Sequence, residues 1–433
     1  MANHTMTIPR ISDMLKKAPE GLNPYSFAIM ALENLEKPPS GPIFRSVLTI
    51  FACISAAIML CCLGILVVPF FQGEVGGSQH NWIVKRKYSG SRANPYFILN
   101  NGLVIGLSYL FGGILFQCYV ALQFNTMDSN RQTSQFSWIE ILKLPGSCAT
   151  FIQAFTMLFI STSNPSQGGT KRYSIPPGIF NFLLIGFPAL TAVASIFLIV
   201  HKASLVQKQD VSYNVLINLL TDAAKLWDGG EKILSESRNF LLQATYEVFS
   251  LDTFLKNRSR IRIGLFWAFM AIPSILFYVG GVIALVTTVY QPIKTPKKLQ
   301  PANLNPNKIK TVGNEMENGP IILGKEGSRK LSRSLKFLWL HYFSMSMALS
   351  MDAATSMVFY LNKDNLKDIR LARKFFVTNL SSSIFTLVAM IILLARIIGD
   401  GKEAKNSASN CTSGFTESNY SASKVAPGNK QYM

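Results

Sequence analysis

The stretch FLWLHYFSMSMALSMDAATSMVFYL, Phe337 to Leu361, lies between Lys336 and Lys363 and carries one charged residue, Asp352, close to its middle. About 20 apolar residues cross a bilayer as a helix, so the stretch is long enough to span. A carboxylate in hydrocarbon costs on the order of 3 kcal/mol even on lenient insertion scales. Asp352 therefore has to face protein, water or a bound cation rather than lipid.

Six further uncharged stretches surround this one. They lie between Arg45 and Glu74, Arg92 and Asp128, Lys143 and Lys171, Arg172 and His201, Arg262 and Lys294, and Lys374 and Arg396. With the Asp352 stretch they predict seven spans. The expected fold is all-α, a polytopic membrane protein with a bundle of seven transmembrane helices and an extramembrane helical hairpin between spans four and five.

Composition agrees. Of 433 residues 49% are hydrophobic and only 15% charged, against roughly 25% charged in soluble domains. The formal charge of +19 sits in loops beside apolar runs, which points to a lipid bilayer with anionic headgroups as partner and away from nucleic acid. Four of the six cysteines, Cys53, Cys61, Cys62 and Cys118, fall inside spans, Cys148 starts one, and Cys411 stands in the tail, a pattern of apolar fillers rather than a disulfide framework.

The chain divides by composition. Residues 1–44 form an N-terminal arm in which Tyr25 to Leu35 can make a short interfacial helix, and 45–200 carry spans one to four. In 201–262, Leu216, Leu219, Ala223 and Leu226 keep a 3-4 spacing; after Asp228-Gly229-Gly230, Leu234, Leu241, Val248 and Leu255 recur every seven residues, with Ala244 and Leu251 between them. That is an amphipathic helical hairpin. Span five covers 263–290, a basic linker 291–335, spans six and seven 336–396, and a Ser- and Asn-rich tail 397–433; linker and tail are expected to be disordered.

Polar and backbone features within the spans nominate a site. His341 and Asp352 share a helix face about 16 Å apart. Ser381, Ser382 and Ser383 in span seven lie at matching depth, so a contact from one of them to Asp352 is expected, with Gln153 of span three the next candidate. Gly102 and Gly106 have the spacing of a helix-packing motif, and Pro188 and Pro273 are expected to kink spans four and five. The absence of HExxH, GxSxG and P-loop motifs, with histidines dispersed at 4, 80, 201 and 341, argues against catalysis, a bound metal or a cofactor.

Topology is balanced: Lys and Arg divide 21 against 21 between the two faces. The basic linker and Ser-rich tail favour placing the N-terminus outside. Seven spans with a long basic linker before the sixth resemble the architecture of G-protein-coupled receptors, but the acidic-Arg-Tyr motif after span three and the Asn-Pro-x-x-Tyr motif in span seven are absent, and no family is identified. The expected function is a receptor-like sensor in the plasma membrane with a cytoplasmic signalling partner. Its alternatives are a channel or transporter with Asp352 on the permeation path and a non-catalytic scaffold.

Overall fold

The computed structural model describes residues 11–36, 42–72, 80, 82–88, 94–129, 141–163, 175–228, 236–294, 325–361 and 369–420. Helices dominate it. Two short ones, α1 (Ile11–Leu15) and α2 (Pro24–Glu36), precede α3 (Pro42–Val67), which ends in a 3-10 turn, Val68–Phe71. Strands β1 (Val84–Lys87) and β2 (Tyr96–Leu99) pair antiparallel, Val84 opposite Leu99 and Lys87 opposite Tyr96. Then come α4 (Asn101–Ser129), α5 (Lys143–Ser163), α6 (Pro177–Lys225), α7 (Glu236–Lys294), α8 (Lys325–Leu361) and α9 (Ile369–Tyr420).

Five helical segments are long and apolar enough to cross a membrane: Pro42–Phe71, Asn101–Asn125, Pro177–Lys225, Ser237–Ala284 and Phe376–Lys402. The chain thus has the helices of an integral membrane protein. The expected count of seven is not reached, because α5 and α8 are not among the five. Both bury polar side chains: in α5 every residue from Ala149 to Phe159 except Ile152 and Leu158 is buried, polar Thr150, Gln153 and Thr156 included, and α8 buries His341, Ser344, Thr355 and Ser356 while exposing Trp339, Leu340, Phe343 and Met357. Polar side chains on a helix face turned toward protein lower its mean apolarity without meeting lipid.

Neighbouring contacts close a ring, α3 to α4 to α5 to α7 to α8 to α9 and back to α3, with α6 packed outside against α7 and α5. Small residues set the closest approaches. A Cβ added to Gly106 would lie 3.1 Å from Leu66 of α3, and one added to Gly102 would meet Ile397 of α9 at 3.8 Å. The central core joins Cys62, Ile105, Ala154, Tyr278, Met345 and Met390, one residue from each ring helix. The five described cysteines are unpaired.

α6 and α7 run on beyond any bilayer. At 1.5 Å per residue, 49 and 59 residues make rods of about 74 and 88 Å, against a hydrocarbon core of about 30 Å. Neither Pro188 nor Pro273 interrupts its helix. Outside the ring the two rods form a hairpin onto which α1 and α2 fold, burying Ile11, Tyr25, Ala28 and Leu32 with Tyr213, Leu216, Leu220, Leu242, Tyr246 and Phe249. The apolar face of α2 thus meets protein, where an interfacial helix was expected to meet lipid. The hairpin core also departs from the heptad reading: Leu241 and Val248 are 51% and 53% exposed. The register is one residue away because Tyr246 and Phe249, left out of an aliphatic count, supply the buried stripe.

Helix extends into both stretches expected to be disordered. α9 passes Gly399 and continues to Tyr420, and α8 starts at Lys325, inside the basic linker. Extending a nucleated helix costs far less than starting one, so weak helix formers follow a strongly packed segment. Residues 295–324 and 421–433 lie outside the described set.

Asn23 ties the arm to the hairpin. Its Oδ1 accepts from the Tyr25 and Ser26 amides at 3.0 and 3.3 Å, capping α2, while its Nδ2 donates to the Ala224 carbonyl at 2.8 Å. Losing an N-cap costs about 0.5–2 kcal/mol. Asn23→Ala should speed hydrogen exchange throughout α2 while leaving the ring helices protected, a difference that mass spectrometry resolves.

Candidate functional site

One buried polar cluster draws on four ring helices. His341 of α8 sits between Gln153 of α5 and the backbone of α9: its Nε2 is 2.9 Å from Gln153 Nε2 and its Nδ1 2.9 Å from the Ala389 carbonyl. The Tyr278 hydroxyl of α7 donates to Gln153 Oε1 at 2.6 Å. Since a carbonyl only accepts, Nδ1 carries the imidazole proton, and Nε2 accepts from the Gln153 amide. The three side chains are 0–2% exposed. Every atom in the chain has a partner, which is what a polar group in a low-dielectric core requires.

Gln153 and His341 of this cluster form the floor of a cavity of about 280 Å³. Phe337 and Leu338 of α8, Ile392 and Leu393 of α9, and Asn101 and Gly102 at the start of α4 line its walls, and His80, Trp82, Arg396 and Asp400 its rim. This end of the ring is opposite the hairpin. Asn100 shapes the rim: its Nδ2 donates to the carbonyls of His80 and Trp82 at 2.5 and 2.8 Å, and its Oδ1 caps α4 through the Gly102 and Leu103 amides at 3.1 and 3.4 Å. Below it, β2 is pinned to the start of α6 by Tyr96 Oη on the Ile175 carbonyl at 2.7 Å and by the Phe97 amide on Asn181 Oδ1 at 2.9 Å.

At the rim, Asp400 lies between two nitrogens without hydrogen-bonding either. Its Oδ2 is 3.6 Å from Arg396 Nε and 3.9 Å from His80 Nε2, and both nitrogens lack a hydrogen-bond partner although they are buried. The Gln72 amide donates to the Ile397 carbonyl at 2.8 Å, a second tie from the end of α3 to α9. Burial pushes the His80 imidazole below its ordinary value of 6.5; Asp400 opposes that push, and Arg396 and Lys85 add to it. His80 is accordingly neutral at pH 7.

No family model, curated protein or solved structure matches the chain. Its chemistry has to be read from these residues alone.

The residues singled out in the sequence separate into two places. Gln153 and His341 meet each other at the cavity floor rather than Asp352. Asp352 lies half-buried three helical turns further along α8, toward the hairpin end. It lies beside Ser382 of α9 and within reach of the charge of Lys143, the first residue of α5. A cation does therefore act on this acid; counting only residues inside uncharged runs had excluded it. The Ser382 hydroxyl donates to the Ala348 carbonyl at 3.1 Å. Ser381 turns back to the Val377 carbonyl of its own helix at 2.9 Å, and Ser383 is half-buried on another face of α9. Gly102 lines the cavity, while Gly106, Pro188 and Pro273 lie outside its lining.

Tyr278, His80, Asn100, Arg396 and Asp400 were not anticipated. Tyr278 was hidden among apolar residues of span five. Arg396 and Asp400 stood as the charged edge of span seven, one helical turn apart, and only their i, i+4 spacing hinted at a pair. Nothing local joins His80 to Asp400, 320 positions away.

Proposed function

We propose that this integral membrane protein is a receptor-like sensor. A small ligand enters the cavity at the Arg396–Asp400 end, and its binding is transmitted through the ring to the α6–α7 hairpin at the other end. The reading rests on one observation: the cavity ends on Gln153 and His341, which with Tyr278 behind them form a hydrogen-bonded chain whose polar atoms are all paired, with buried Met345 in the same core. A polar-floored cavity suits binding. Its helical lining comes from α4, α5, α8 and α9, and Gln153 at the floor hydrogen-bonds Tyr278 of α7, the helix that continues into the hairpin. The hairpin then serves as the signalling partner's face, and α6 and α7 act as levers reaching about 40 Å past the bilayer. Seven crossings, with α5 and α8 completing the ring, belong to the same proposal.

A channel or transporter is favoured by a separate feature, the polar seam along α8 from His341 through Ser344 to Asp352 and Thr355. Liposomes containing the purified chain decide between the two. The sensor reading expects them to stay tight to H⁺, Na⁺ and K⁺. A cation flux lost in Asp352→Asn would overturn it and put Asp352 on a permeation path.

A further inference from the structure

We infer that the cavity at the α9 end takes a ligand bearing an anionic oxygen group, a carboxylate or a phosphate, held by Arg396 and His80 with its apolar remainder against Phe337, Leu338 and Leu393. This rests on reading the cavity as a binding site and assigns the chemistry of what enters it.

Two nitrogens carry the inference. Arg396 Nε and His80 Nε2 are buried at the rim without hydrogen-bond partners, an arrangement that costs about 1–3 kcal/mol per group unless something fills it. Both approach the same oxygen, Asp400 Oδ2, at 3.6 and 3.9 Å, too far for a hydrogen bond. Asp400 therefore marks where a carboxylate oxygen is attracted without occupying the place where both donors would bond it. An acceptor entering between them would do so.

Charge and shape agree. Arg396 stands at the rim with Asp400, the one carboxylate among the described lining residues, and nearby Lys85 lies over the Trp82 ring at 4.4 Å and acts on His80. The N-terminus of α4, a helix of 29 residues, opens into the cavity at Asn101 and Gly102, adding the positive end of its dipole. Below the rim the walls are aliphatic and aromatic. The volume of about 280 Å³ falls at the small end of ligand sites. A polar head at the rim and a short apolar tail beneath it describe the occupant, whose anionic head belongs either to a free metabolite-sized anion or to a membrane lipid.

The test uses the full chain in phosphatidylcholine nanodiscs, with thermal unfolding and Trp fluorescence as readouts. Probes are hexyl phosphate, hexanoate, inorganic phosphate, hexyltrimethylammonium and hexanol. Hexyl phosphate and hexanoate should raise Tm and bind saturably; the cation and the alcohol should not. Arg396→Gln should weaken binding at least tenfold, and Arg396→Lys should recover part of it, which separates charge from misfolding. Asp400→Asn should tighten binding several-fold, because it removes the competing carboxylate. Exchanging a fifth of the lipid for phosphatidic acid identifies the source: lost probe binding names a lipid headgroup, and unchanged probe binding names a free anion. Saturable binding of hexyltrimethylammonium that Asp400→Asn abolishes would overturn the anion assignment while keeping the cavity as a ligand site. If no probe shifts Tm in the wild-type chain, the anion assignment falls; the sensor reading is judged separately by the liposome measurement.

Discussion

Gln153→Leu should destabilise the folded chain by about 2–4 kcal/mol, since it leaves the buried Tyr278 hydroxyl and His341 Nε2 without their protein partner, at about 1–3 kcal/mol each. Leucine nearly matches glutamine in volume, so the loss is polar rather than a cavity effect. The distinguishing result is the double variant. Tyr278→Phe alone orphans Gln153 Oε1 and should cost about 1–2 kcal/mol. Added to Gln153→Leu, however, it removes a hydroxyl that already lacks a partner, and so should restore part of the lost stability. A double-mutant cycle of Tm or denaturant midpoints in detergent should show non-additivity of about 1 kcal/mol or more. Strict additivity would mean that the 2.6 Å bond from Tyr278 to Gln153 is energetically silent.

Gly106→Leu should cost about 1–3 kcal/mol by overpacking. A Cβ there meets Leu66 Cδ2 at 3.1 Å, Leu66 Cγ at 3.2 Å and Ile65 Cγ2 at 3.4 Å, and a leucine adds three more carbons to a seam between α3 and α4 that has no room for them. Gly178→Leu, with nothing within 4 Å of its Cβ position, is the matched control and should change stability by less than about 0.5 kcal/mol. The comparison separates a packing glycine from one that merely lies in a helix. Equal Tm values for the two variants would show that α3 and α4 do not rely on close approach at Gly106.

Several particulars show why some features could be read along the chain and others could not. Span placement follows from runs of uncharged residues because lipid contact imposes a composition on every lipid-facing helix. The same logic counts α5 and α8 as spans because their runs are uncharged, although Gln153, His341 and Asp352 make them less apolar than the other five. The hairpin was visible as a change from continuous to periodic apolarity, but its register was not, since Tyr246 and Phe249 can occupy core positions as well as leucine does. The β1–β2 pair left no alternating pattern, with all four β1 residues, Val84 to Lys87, exposed. What fixes it is Tyr96 and Asn181 bridging to α6, contacts made across more than 75 positions.

Taken alone, the amino-acid order determined that most of this chain must be helix in a bilayer, because a backbone in hydrocarbon has to satisfy its own hydrogen bonds and apolar side chains must cover it. It also isolated Asp352, Gln153 and His341 as polar residues with no place in lipid. Which of them meet was decided only by the ring of helices. Gln153 closes on His341 and Tyr278, Asp352 finds Ser382 and the charge of Lys143, and Arg396 and Asp400 come to a rim with His80. Those meetings depend on the rotation and neighbour order of each helix, which come from the summed packing of many side chains at once, and no local pattern encodes them.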